Sequence, residues 1–237
     1  MIGIIAQFAL SWLIIWLVEK KGLGVLGFFP TNKRLTDLAI FLVVTAACSA
    51  SHFIMRMLFA EQRWILNPDL SFKLILEGVW WNIKSVLFEE LIFRGVFLYI
   101  LIKRTGMWWG IIISSVAFGI YHWFSQEIFG DPMPMLITFL ITGLMGVVYA
   151  YGYAKTFSLY VPIAIHLGWN LTRSVIFSET VIGDQLLIQV KPAAQVQVSY
   201  FTYFVVVYLP MLSAMMINFF LLKKKMPVEF PGTPQAG

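Results

Sequence analysis

Seven apolar runs, each bounded by charged residues, Pro or Gly, partition the chain: 2–18, 36–59, 71–102, 107–128, 134–153, 157–178 and 200–222. Each reaches the roughly 17–25 residues that a helix needs to cross a bilayer. The third is longer than one crossing requires. It carries Lys73, Glu77, Asn82, Lys84, Glu89, Glu90 and Arg94, so its first turns are expected at the interface or against protein, and it leaves room for an eighth crossing. Only 12% of the 237 residues are charged, 59% are hydrophobic and the mean hydropathy is +0.81. Ordinary globular domains carry about 25% charge, so there is too little polar surface here to cover a soluble core. The expectation is an all-α, polytopic transmembrane helical bundle forming one domain over 1–226, followed by a disordered tail at 227–237. No positive segment precedes Ile2, and Glu19, Lys20 and Lys21 follow the first run, which reads as a retained span rather than a secretory signal.

The basic residues orient this bundle. Taking the runs alternately, one side receives Lys20, Lys21, Lys33, Arg34, Lys103, Arg104, Lys155 and Lys223 to Lys225, and the other only Arg63 and Lys191. Cytoplasmic connections collect Lys and Arg, so the N-terminus is placed outside and the C-terminus in the cytoplasm; the expected location is a bacterial inner or plasma membrane. The net charge of +5 is thereby assigned to membrane lipids, and no nucleic acid is expected as a partner. The lone Cys48 excludes a disulfide framework and a cysteine zinc site. In the long outer connection at 179–199, residues alternate in polarity on both sides of Lys191 and Pro192, which suggests a short hairpin or a lid. Gly146 with Ala150 offers a small-residue helix contact.

Ionisable side chains inside spans cost from about 2.5 kcal/mol upward, so each needs a reason. Three clusters stand out: Glu89-Glu90 with Arg94, Phe118 with His122, and His166 with Asn170. Counted at 1.5 Å per residue from Lys103, Gly106 and Lys155, Glu89, His122 and His166 lie at depths of about 21, 24 and 16 Å. Three helices therefore bring ionisable groups to nearly one level. Glu90 and Arg94, four apart with the acid first, are spaced for an ion pair. Glu89 is rotated about 100° from that face, where it can turn toward a cavity. His166 and Asn170 share one helical face.

A buried carboxylate, two imidazoles and a donor amide suit the hydrolysis of an amide bond, which requires an activated water and a stabilised oxyanion. Gly-x-Ser-x-Gly, His-Glu-x-x-His and an intramembrane aspartate pair are all absent from the sequence. Glu89, His122 and His166 would also satisfy the ligand count of a catalytic zinc. The residues do not separate zinc from a metal-free mechanism, and the metal-free glutamate form is slightly favoured.

The order EExxxR, FxxxH and HxxxN on three hydrophobic helices, over about Ser85 to Arg173, resembles the signature of the CAAX protease and bacteriocin-processing family, also called CPBP or Abi. These are intramembrane proteases, and they include the type II CAAX prenyl endopeptidases. The resemblance implies that Glu89 and His122 activate water. It implies that His166 and Asn170 bind the oxyanion or complete a metal site, and that Glu90 and Arg94 support the first motif. It also implies a hydrophobic or lipidated peptide or protein substrate, as in CAAX processing or bacteriocin maturation. Two other classes remain open on the sequence: a proton- or cation-coupled transporter using Glu89, His122, Arg56 and Arg173, and a non-enzymatic immunity or scaffold protein. His52, which matches no motif, is expected to be structural.

Overall fold

A computed structural model describes residues 2–191 and 196–226. The tail expected to be disordered, 227–237, lies outside the described residues. In chain order the helices are α1 (Ile2–Glu19), α2 (Asn32–Phe59), α3 (Phe72–Glu90), α4 (Phe97–Thr105), α5 (Met107–Ser125), α6 (Pro132–Thr156), α7 (Tyr160–Leu171) and α8 (Tyr200–Lys223). The described residues also form two three-residue strands, β1 (Trp64–Leu66) and β2 (Leu187–Gln189), a short 3-10 turn at Leu23–Leu26 and two π-type turns. Among the described residues, five helices, α1, α2, α5, α6 and α8, are long and apolar enough to cross a membrane, and the chain is an integral membrane protein.

The other two expected spans, 71–102 and 157–178, do not form uninterrupted helices. The first breaks at a wide π-type turn, Leu91–Val96, and the second at another, Thr172–Ile176. A π turn inserts a residue into the helical ladder and is concentrated at functional sites. Both interrupted segments are motif-bearing ones.

The described residues fall into two compact units. The first lies within 1–38, 87–163 and 219–237, the second within 39–86 and 164–218. In the first unit α5 packs along α6. Small residues let the two backbones approach: a Cβ on Gly146 would lie 3.3 Å from Ser115 Cα, and one on Gly119 only 2.7 Å from the Phe139 ring. Gly27, at φ +76°, turns the chain so tightly against Phe157 that a Cβ there would fall 2.0 Å from the Phe157 carbonyl. Lys103 pairs with Glu19, and Lys225 with Asp37 at 2.6 Å. These contacts join span ends that the basic-residue count assigns to one side.

The second unit is tied together by polar contacts between helices. Gly168 of α7 presses on α2, where a Cβ would lie 2.5 Å from the Leu42 carbonyl. Ser49 donates to the Trp169 carbonyl (3.3 Å) and Asn218 to Thr45 (2.9 Å). His52 Nδ1 donates to the Val206 carbonyl at 2.8 Å, which is a structural use of that imidazole. The strand Leu187–Gln189 pairs antiparallel with Trp64–Leu66, in register Ile65 to Ile188, and not across Lys191-Pro192 as the alternation suggested. A three-residue strand gains more from an edge already anchored between helices than from a hairpin with its own continuation. Residues 192–195, within the expected hairpin, lie outside the described residues.

Candidate active site

Glu89 and Glu90 are the last residues of α3, and the π turn that follows contains Arg94 and a non-helical Gly95 (φ −78°, ψ −127°). Ser114 of α5 donates to the Phe93 carbonyl within this turn at 2.8 Å. A hydroxyl from a neighbouring helix thus serves a backbone group in the distorted stretch, as an apolar environment demands.

Arg94 is fully buried. Its Nη1 donates to Glu90 Oε1 at 3.2 Å, the contact expected from the i,i+4 spacing, and Nη2 donates to the Gly146 carbonyl at 3.4 Å. The guanidinium carbon stands 4.0 Å from the Phe118 ring centroid and 5.1 Å from that of Tyr149. A carboxylate, a carbonyl and two π faces together compensate a charge taken out of water. A Cβ at Gly146 would meet Arg94 Nη2 at 3.2 Å, so the guanidinium would have to give by a few tenths of an ångström.

His122 lies near the end of α5, its ring edge-on to Phe118 at 4.5 Å and to Tyr121 at 5.4 Å. Its Nδ1 is 2.8 Å from the Phe118 carbonyl. A carbonyl only accepts, so Nδ1 carries a proton and the neutral ring presents its lone pair at Nε2. That atom is 3.9 Å from Glu89 Oε2, and both side chains keep 13% of their exposure. The separation exceeds a direct hydrogen bond. A single water about 2.8 Å from each atom would span it at an angle of about 90°.

His166 and Asn170 belong to the second unit, on successive turns of α7; His166 is buried and Asn170 half-buried. The π turn after Asn170 places Ser174 Oγ 2.6 Å from the Asn170 carbonyl and 2.9 Å from Asn82 Oδ1. Asn82 in turn donates to the Gly78 carbonyl at 2.8 Å.

Among the described residues of either unit, no three His, Cys, Asp or Glu side chains are grouped to hold a metal ion. Of the three side chains named for a metal, Glu89 and His122 belong to the first unit and His166 to the second.

Sequence reasoning named the six candidate residues but not the groups that contact them or the turn that bears Arg94: Ser114, Tyr149, Ser174 and the carbonyl of Gly146. Gly146 was legible only as a packing residue, since a backbone carbonyl has no signature in sequence. Asn82, by contrast, was visible as an amide within an apolar run.

Residues 71–172, which include all six candidates, match the family model described as type II CAAX prenyl endopeptidase Rce1-like. Among curated proteins, the "Putative membrane peptidase YdiL" of Bacillus subtilis (strain 168) is 33% identical over 89 residues. The match covers 38% of this chain and 32% of that protein, so the chain matches about a third of its relative's length. No solved structure matches. The resemblance read from the three motifs therefore holds over this segment.

Proposed function

We propose that the chain is an intramembrane endopeptidase that hydrolyses a peptide bond in a hydrophobic or lipidated substrate, with Glu89 as the base that activates water. The observation that carries this reading is the 3.9 Å approach of Glu89 Oε2 to His122 Nε2, with the tautomer of His122 set by the Phe118 carbonyl. A water held between them gives its proton to the Glu89 carboxylate as its oxygen adds to the scissile carbonyl. The same proton then passes to the leaving amine as the carbon–nitrogen bond breaks, while Nε2 of the neutral His122 accepts the other hydrogen of the water and positions it. The amide of Asn170 and the imidazole of His166 carry the donors an oxyanion needs, which is the role the resemblance implies.

Glu90 and Arg94 act through structure. Their buried pair fixes the end of α3, and with it the direction in which Glu89 leaves the helix. The chain is placed with its N-terminus outside and its C-terminus in the cytoplasm of a bacterial membrane. The alternation of basic connections supports this placement, as do the Lys103–Glu19 and Lys225–Asp37 contacts. Arg56 and Arg173, which made a cation relay worth weighing, both pair with Glu179, and this favours the hydrolase over the transporter.

The test is cleavage of a library of membrane peptides by purified wild type, Glu89→Gln and His122→Ala, each with and without a chelator. Cleavage by wild type that both substitutions abolish is expected. Full turnover by Glu89→Gln would overturn the assigned base, and loss of wild-type activity on chelation would assign the water to a metal.

A further inference from the structure

The first helix, α1, precedes the segment that the family model matches, 71–172, so that match assigns no role to any residue in it. α1 meets the first unit along one face, where Ser11 and Ile15 are buried while Leu10, Trp12, Leu13, Trp16 and Leu17 stay exposed. Gln7, one turn before Ser11 on that face, is the one amide side chain of this helix. Counted at 1.5 Å per residue, Gln7 lies about 18 Å from Glu19, and Glu89 about 21 Å from Lys103. Lys103 pairs with Glu19, so the two counts start from one level.

Within the first unit, Gln7 Nε2 donates to the Phe88 carbonyl at 3.3 Å. Gly3, one turn earlier, brings α1 onto the Phe88 ring, where a Cβ would stand 3.4 Å from the nearest ring atom. The Phe88 carbonyl belongs to the peptide unit whose far end is the Cα of Glu89. A peptide unit is planar, so a bond that fixes the Phe88 oxygen also fixes the plane from which Glu89 leaves the backbone. Such a fixing is needed at this point, because the regular ladder of α3 ends at Glu90 and the π turn follows. On the far side, Ser114 of α5 holds the Phe93 carbonyl. An amide from one neighbouring helix and a hydroxyl from another thus bracket the stretch that carries Glu89 and Glu90.

Stability alone does not account for the amide. Among the described residues, Gln7 Oε1 is buried and has no hydrogen-bond partner, and a buried acceptor without a donor offsets what the single Nε2 bond contributes. Methionine, of matching length and without a desolvated amide, would fill the same space. What methionine cannot do is hold the Phe88 oxygen.

We propose that Gln7 is a positioning residue for Glu89. By anchoring the peptide plane between Phe88 and Glu89, it holds the carboxylate at the 3.9 Å approach to His122 that admits one bridging water. The consequence for cleavage rests on the reading of Glu89 as the base, whereas the anchoring of its backbone does not. Displacing a reacting group by about 1 Å costs about 10²-fold in rate; with the Ser114 bracket still in place, loss of Gln7 is expected to lower kcat about tenfold.

The experiment compares wild type, Gln7→Met and Ser11→Ala, each as the full chain in nanodiscs. It measures kcat and KM on a membrane peptide that wild type cleaves, Tm, and the rate at which dicyclohexylcarbodiimide modifies Glu89 at fixed pH, resolved from Glu90 by mass spectrometry. For Gln7→Met the expected result is a kcat lower by about tenfold with KM within about twofold, a Tm no lower than wild type, and a Glu89 modification rate changed at least about threefold. Ser11→Ala, on the same buried face, is expected to match wild type in kcat and in labelling. For Gln7→Met, unchanged kcat, an unchanged labelling rate, or a kcat that falls only together with Tm would overturn the proposal. Should that variant not fold, Gln7→Asn, which keeps the amide but withdraws it by one methylene, is judged by the same kcat, Tm and labelling outcomes. If wild type cleaves no peptide, the peptidase reading falls alone and labelling decides: a changed rate in Gln7→Met supports the anchor, and an unchanged one refutes it.

Discussion

The buried pair Glu90–Arg94 makes a quantitative claim. Both side chains are fully buried, and Arg94 is held by Glu90, by the Gly146 carbonyl and by the Phe118 ring. Arg94→Met removes the counter-charge from a carboxylate that cannot reach water, at a cost of about 3–5 kcal/mol. The 4.0 Å cation–π contact and the Gly146 bond place the loss toward the upper end of that range. For a chain of this size that corresponds to a fall in Tm of roughly 6–20 °C. Glu90→Gln, which strands the guanidinium instead, is expected to cost a similar amount. The double substitution Glu90→Gln with Arg94→Met leaves a neutral amide and a thioether, and it should recover at least about 2 kcal/mol relative to the sum of the singles. Thermal unfolding of the purified protein in detergent, followed by intrinsic fluorescence for wild type, both singles and the double, measures this directly. A double variant that falls by the full sum of the two singles would refute the claim that the residues act as one ion pair.

Three further outcomes are expected. Glu89→Gln and His122→Ala should each lower turnover by about 10²–10⁴-fold. Both should keep Tm near the wild-type value, since these side chains line the site rather than fill the core; matched losses of Tm and activity would make them structural. Gly168→Ala should destabilise by about 1–3 kcal/mol, because its Cβ would lie 2.5 Å from the Leu42 carbonyl. Gly143→Ala, whose Cβ would meet only Ser115 O at 3.8 Å, is the control expected to unfold like wild type. In a Cys48→Ser background, Arg104→Cys and Lys191→Cys should react with membrane-impermeant thiol reagents from opposite sides, Arg104→Cys from the cytoplasm. Labelling of both from one side would reverse the alternation drawn from the basic residues.

Much of the scaffold was legible because a bilayer leaves few options. Apolar runs of sufficient length predict α1, α2, α5, α6 and α8, and all five are observed. Scarcity of charge is also what made Glu89, Glu90, Arg94, His122, His166 and Asn170 conspicuous, whereas in a soluble chain the same residues would have merged into a polar surface. The unread features are those carried by backbone or by pairing between distant segments. Nothing in the alternation of residues 185–190 names Trp64–Leu66 as the partner strand, and nothing in Glu179 alone indicates that Arg56 and Arg173 will share it. Such pairings depend on which connections the helices bring together, which one-dimensional periodicity does not encode.

The two π turns show why the motif-bearing runs were the ones misjudged. A continuous helix was expected through 71–102, with faces assigned at 100° per residue throughout. An inserted residue shifts every downstream side chain by about that angle relative to the upstream register. The assignment for Glu89 and Glu90 survives because both precede the turn, and Arg94 still meets Glu90 because the two are only four residues apart. Beyond Val96 the original register no longer applies. The same holds after Leu171, where the turn brings Ser174 against the Asn170 carbonyl. A strict 3.6-residue ladder would leave no spare backbone geometry at these points. The polar chains that make an apolar run costly, and the distortions that let neighbours such as Ser114 and Ser174 bond to its backbone, thus occur together. In these two spans regular periodicity holds only up to the cluster and not through it, whereas α5 carries Phe118 and His122 on an unbroken helix.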